Sequence, residues 1–323
     1  MKSGKELILA TKPFATEFRW KSWFFTLSTL FLLAGLNLII FLAFPFALRL
    51  SASVMLGFLI VRMFVIYHDY QHHAILQNSI IADILFYLFG LYVLAPPGIW
   101  KRSHNYHHNH NSKLFSASIG SYPIFTKEKY LSCSRSEQKT YLAIRHPLTI
   151  TFGYLVVFIY GMCIQSFMSK KSEHWDSIAA LLIHGIFIAL TAIFFGWITV
   201  ALAIFIPFLI ACAMGSYLFY AQHNFPEVEF KENKIEWSYD HAALQSSSYM
   251  KMNPFWQWVT ANIGFHHIHH INSRIPFYRL PEAMKSLPEL GTPKITTLNP
   301  RDIYRCFQLK VWDSMQRKMV WIG

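Results

Sequence analysis

The sequence predicts an all-α integral membrane protein, with four transmembrane helices in two hairpins, interfacial helices and a cytoplasmic cap. Two observations carry this. Of 323 residues, 54% are hydrophobic and 14% charged, and the mean hydropathy is positive, whereas soluble domains carry about 25% charged residues. The apolar residues also gather into runs long enough for the ~20-residue helix that a bilayer core requires. A net charge of +12 does not mark a nucleic-acid binder, because the cations adjoin apolar runs, as in "KRSHNYHH" and "SKKSEH", and form no separate basic arm. Membrane lipids with anionic headgroups, or an acidic soluble partner, fit that placement. Cys133, Cys163, Cys212 and Cys306 show no paired spacing and are expected to be small core residues without a disulfide framework.

The candidate spans follow in order. Phe24 to Phe44 and Leu50 to Tyr67 make a first hairpin turning near Pro45, and the first run is expected to stay as an anchor because it is longer than a signal-peptide core. Lys2, Lys5, Lys12, Arg19 and Lys21 precede it, which places the N-terminus inside. Between Lys101 and Arg145, eight basic residues stand against two acidic ones, so that loop is also inside. Ile80 to Leu94, stopped by Pro96 and Pro97, then begins and ends on one side and is expected in the interface. Of Pro147 to Met168, Ser177 to Phe195 and Ile198 to Tyr220, the first is flanked by cations at both ends and is expected not to span. The other two form the second hairpin, turning at Gly196.

One domain results: 1–23 a cytoplasmic segment, 24–67 the first hairpin, 68–146 cytoplasmic cap, 147–220 an interfacial segment and the second hairpin, and 221–323 the rest of the cap. Both termini are expected to be cytoplasmic. Arg62, six residues before His68 and therefore about 9 Å from it along a helix, is expected to snorkel to the interface.

Eleven of the sixteen histidines fall in three short windows. In "HDYQHH", His68 and His72 are four apart and share a helical face. In "HNYHH", His104, His107 and His108 stand at i, i+3 and i+4, and His266, His269 and His270 repeat that spacing in "HHIHH". Each window can aim two or three imidazoles at one point. With all three on the cytoplasmic side, eight nitrogens exceed the needs of one four-coordinate ion, so the cap is expected to carry a histidine-ligated dimetal site. "YAQHNF" closes the last apolar run and adds His223 at the same depth. Asp69 and His73 share a face about 100° from the His68–His72 pair and are candidates for outer hydrogen bonds to a ligand. His267 and His110 are held as outer or surface groups, His241 as either ligand support or surface, and His146, His174 and His184 as interfacial or core residues.

"HDYQH", "HNYHH" and "HHIHH", with two apolar hairpins between them and "INSRIPFYRL" after the last, resemble the membrane fatty acid desaturases, especially the acyl-lipid branch. The likeness runs from about Phe24 to Leu280, and the ordered triple is what makes it specific. It implies two iron ions in a non-haem diiron centre held by the nine histidines named, dioxygen as co-substrate, two electrons from ferredoxin or a b-type cytochrome, and a cis double bond introduced into an acyl-lipid chain. Tyr70 and Gln71 replace the smaller residues often found in the first window, and no fused b-type cytochrome domain is expected. A related diiron hydroxylase or ketolase of lipids or carotenoids shares these windows. A histidine-lined divalent-metal transporter would instead place its ligands at mid-bilayer.

Overall fold

The computed structural model describes residues 2–114 and 122–322. Positions 115–121, part of the basic loop, lie outside the described residues. Seven helices carry the argument: α1 (Arg19–Phe41), α2 (Phe46–Gln71), α3 (Ile80–Tyr92), α4 (Pro97–His110), α5 (Trp175–Val200), α6 (Ile206–Ala221) and α7 (His266–Ile271).

Among the described residues, length and apolar composition mark three helical stretches as able to cross a membrane, α1, α2 and the 47-residue run Trp175–Ala221 that contains α5 and α6, with the bent pair α3 and α4 as a fourth if it counts as one span. A straight run of that length would be ~70 Å long at 1.5 Å per residue, more than twice a bilayer core. It is not straight. Gly196 has φ 78° and ψ 166°, a conformation that a residue with a Cβ avoids, so the helix breaks there. Ring contact between Phe41 and Phe195 and a 2.8 Å bond from Arg49 to Thr199 bring this break to the turn between α1 and α2. Both hairpins therefore turn at the same end. Helices α2 and α6 run alongside each other, in such close approach that a Cβ on Gly57 would lie 2.9 Å from Ile210 Cβ.

Arg62 does not reach the interface. It is 3% exposed, donates to Thr29 on α1 at 3.2 Å and to the Trp258 carbonyl, and its guanidinium lies 4.5 Å from the Trp258 ring. Internal acceptors replace the water it would otherwise seek. α3, the run expected at the interface, packs Tyr92 within 5.3 Å of Phe208 and 6.3 Å of Phe187, exposes Ile80, Ile81, Ile84 and Leu88 on its other face, and meets α4 at a 90° bend. Pro147–Ser169 forms short helices and a wide π-turn stretch, Tyr154–Gln165, packed across α5 and α6.

Polar segments build a cap over one end of the bundle. Tyr249–Lys251 pairs in parallel with Ile295–Thr297, and Val311–Asp313 antiparallel with Lys318–Val320. The N-terminal segment belongs to this cap: Gly4 N donates to Asp240 at 2.8 Å, Asn272 to Thr11 at 3.0 Å, and Arg279 to the carbonyls of Pro13 and Thr16. Arg145, counted from sequence among the surface cations, is fully buried. It ties Pro123 O at 2.9 Å and Asn224 Oδ1 at 2.5 Å. The four cysteines are free.

Arg62→Met strips the Trp258 carbonyl of its buried donor. The expected cost is about 1–3 kcal/mol, measured as a lowered Tm in detergent; an unchanged Tm would show the bond to be idle.

Candidate metal centre

Four segments converge at the cap end of the bundle. His68 is in the last turn of α2 and His72 caps it, with His72 N bonded to His68 O at 3.1 Å. α4 supplies His104, His107 and His108, the turn after α6 supplies His223, and α7 supplies His266, His269 and His270. The helical spacing does what the sequence requires of it: each window turns its imidazoles to a common side.

The nine fall into two groups. His68, His72, His104, His108 and His269 offer nitrogens within 4.8 Å of one another, and His107, His223, His266 and His270 do the same. Every one of the nine is buried. The Nε2 atoms face each other, at 2.8 Å for His68–His104, 3.1 Å for His108–His104, 3.1 Å for His269–His108, 3.0 Å for His107–His223, 2.9 Å for His266–His223 and 3.1 Å for His270–His266. A neutral imidazole carries one N–H and one lone pair, so such a web of nitrogens cannot satisfy itself by hydrogen bonding. The Nδ1 atoms of His104, His108, His266 and His269 have no hydrogen-bond partner among the described residues. Protons held there leave the Nε2 lone pairs converging, which is the donor set a divalent ion takes. Nitrogens at right angles around an ion roughly 2.1 Å away lie about 3 Å apart, so the residues present fit one metal per group.

Outer contacts fix some of the rings. His68 Nδ1 meets Asp69 Oδ1 at 3.2 Å, and the other Asp69 oxygen accepts from Phe277 N at 2.6 Å, which ties the first window to the chain beyond the third. His223 Nδ1 lies 2.9 Å from Ser246 O, so that nitrogen carries the proton and Nε2 points inward. Trp100, one helical turn before His104, stacks on it with centroids 4.8 Å apart and planes 13° apart.

The other histidines stand outside both groups. His73 is exposed and 3.1 Å from Lys101 Nζ, His267 meets Leu290 O at 3.2 Å, and His241 pairs with Glu229 at 3.3 Å. His110 stacks on Tyr106, His146 accepts from Leu148 N, His174 meets Arg102 and His184 meets Tyr154.

Below the centre, between α2 and α6, runs a narrow apolar pocket of about 50 Å³, walled by Ile60, Phe64, Phe158, Phe208 and Phe219 and closing on His68 and His266. It thus ends on one imidazole from each group. Its lining on α6 extends from Phe208 past Leu218 to Gln222, about 21 Å at 1.5 Å per residue. Sequence alone did not separate these residues from bilayer packing, because alkyl and aromatic side chains inside a span look the same whether they face lipid, core or pocket. Trp100 did leave a signal, its spacing of four before His104.

Burial favours the neutral form of His223 and of the third window. His223 is lowered to about 4, burial outweighing the opposing bond to Ser246, and His267 is lowered to about 4 by burial. His266, His269 and His270 fall well below the usual range, through burial first and neighbouring imidazoles second.

A helical protein with long apolar hairpins and a buried, two-part polyimidazole site defines a class, the histidine-rich membrane-type metalloproteins. The particular family follows from comparison. The family model for fatty acid desaturase matches residues 44–298, most of the chain, and the chain belongs to that family; it is an oxidoreductase of the desaturase type. It is 29% identical over 279 residues to a fatty acid desaturase of Bacillus subtilis (strain 168), covering 85% of this chain and 78% of that one. It is 26% identical to a chloroplastic omega-6 fatty acid desaturase of Spinacia oleracea, covering 76% and 54%. It is 22% identical to an sn-1 acyl-lipid omega-3 desaturase (ferredoxin) of Nostoc sp. (strain 36), covering 74% and 67%.

In the unfolded chain His223 and His267 titrate near 6.5, and in the fold only near 4. The fold then binds fewer protons, so stability is full above pH 6.5 and falls as pH drops towards 4. Thermal melts of metal-free protein across that range should show a falling Tm; a flat profile would contradict the neutral assignment.

Proposed function

We propose that this protein is a multi-pass membrane acyl-lipid desaturase, crossing the bilayer four times with both termini and the cap on the cytoplasmic side. The observation that carries the proposal is the narrow apolar pocket ending on one imidazole from each metal group. Such a slot accepts a single alkyl chain more readily than a ring-bearing lipid, and it delivers a methylene pair beside both groups. It is mostly apolar with few polar groups, as ligand sites commonly are.

His68, His72, His104, His108 and His269 would hold one iron, and His107, His223, His266 and His270 the other. Asp69 acts through His68 as a positioning residue. His73, His241 and His267, outside both groups, are assigned no part in holding metal. No side chain removes hydrogen from an unactivated methylene, so the bound diiron pair would supply that chemistry: dioxygen, two electrons and two protons are consumed, two water molecules form, and the chain loses two hydrogens to leave a cis double bond. The protein's own part is to bind and orient. The walls from Ile60 to Phe219 align the chain and exclude water, and burial favours the neutral, ligating form of His223, His266, His269 and His270.

His107→Ala and His269→Ala should each lower activity by roughly 10²-fold or more, beyond the 10–100-fold typical of outer contacts, in protein still folded in detergent. Asp69→Asn should fall within that smaller range, read as metal affinity. Expression in a host lacking unsaturated lipids, followed by mass analysis, tests the reaction itself. A product two mass units lighter is expected, and a gain of sixteen would establish a hydroxylase instead.

A further inference from the structure

Three of the nine imidazoles ride on α4, and α4 starts without a cap of its own. Its N-cap position is Pro96, which makes no side-chain bond to the first turn, and Pro97 has no N–H to satisfy. The first free N–H is met from another helix. Gly98 N donates to Asp176 Oδ2 at 2.9 Å, and Asp176 belongs to the first turn of α5. The glycine is part of the fit: a Cβ on Gly98 would lie 2.7 Å from Oδ2 and 3.3 Å from Oδ1, so a larger residue leaves no room for the carboxylate.

Asp176 is buried and forms no ion pair among the described residues, and its Oδ1 has no hydrogen-bond partner among them. A carboxylate taken out of water without a cation is costly. What offsets the cost is its place at the N-terminal ends of α4 and α5 at once, where both helix dipoles present positive charge. The same stretch of chain grips α4 one turn later. Arg102 donates to Glu173 and meets His174, and Lys170 holds Glu173 at 3.1 Å. At 100° per residue, Gly98 and Arg102 stand about 40° apart on α4, whereas His104, His107 and His108 centre about 150° away from them. The helix is therefore clamped along its back, with its imidazoles in front.

We propose that Asp176 is a positioning residue of the metal centre. By capping α4 from the end of α5, it fixes where His104, His107 and His108 stand, and so the ligand geometry of both groups. This rests on the two-group metal reading above. α4 gives His104 and His108 to the group of five and His107 to the group of four, so loosening it weakens iron at both.

The test reads metal affinity separately from fold stability. Wild type, Asp176→Ala, Asp176→Asn, Gly98→Ala and the double variant Gly98→Ala/Asp176→Ala are loaded anaerobically with iron(II) and titrated with a competing chelator. The Tm of each metal-free form is measured alongside. Asp176→Ala is expected to lose about 10-fold or more in iron affinity, and Asp176→Asn, which keeps an acceptor for Gly98 N, to lose less. Gly98→Ala, whose methyl displaces the carboxylate, should match Asp176→Ala, and the double variant should be no worse than either, because both changes remove one interaction. A lowered metal-free Tm with wild-type iron affinity would make Asp176 an ordinary helix cap and overturn the proposal, as would losses that add in the double variant. Should Asp176→Ala fail to fold, wild-type affinity in both Asp176→Asn and Gly98→Ala overturns it equally. A wild type that holds no iron would overturn the metal reading itself.

Discussion

The structure depends on one constraint: nine imidazoles must be kept close together and out of water. Left to themselves, buried polar nitrogens facing each other at about 3 Å are unfavourable, since each lone pair has given up water without gaining a donor. The fold bears that cost by rigid delivery. α2, α4 and α7 each fix two or three rings through helical spacing, and the turn after α6 adds the ninth. Because the rings come from four segments far apart in sequence, no one segment can form the centre alone, and the contacts that hold the cap together are also the ones that define the site.

Those contacts are specific. Asp69 bonds both His68 and the Phe277 amide, so a shift of the chain beyond α7 is felt at the end of α2. Arg62, inside the first hairpin, holds the Trp258 carbonyl and so anchors the segment that leads into α7. Gln222 reaches Ile263 O at 2.9 Å, fastening the end of α6 to the same segment. The N-terminal residues close the cap from outside through Thr11 and Arg279. The apolar pocket is what remains between α2 and α6 once these ties are made, and its position beside both imidazole groups follows from where the helices end.

Much of this was legible in the sequence, and the parts that were not share a physical reason. The i, i+3, i+4 spacing of His104, His107 and His108 is a local property of a helix, so it could be read without knowing the fold. The same holds for the apolar runs, whose observed helices differ by only a few residues from the expected bounds, as in Phe46–Gln71 against Leu50–Tyr67. His223 was reachable because it closes the last apolar run. The bond from Asp69 to Phe277, the burial of Arg145 and Arg62, and the docking of the N-terminal segment on the cap all join residues with no fixed spacing between them. Arg62 shows the point: an arginine inside an apolar run suggests the interface until a carbonyl from the far side of the chain is found beside it.

The division of the nine histidines into a group of five and a group of four is the claim on which the functional account stands. Anomalous diffraction at the iron absorption edge, from crystals of protein purified with its native metal, measures it directly. The account predicts two peaks, one among His68, His72, His104, His108 and His269 and the other among His107, His223, His266 and His270. A single peak shared by the nine, or iron bound elsewhere in the chain, would contradict it.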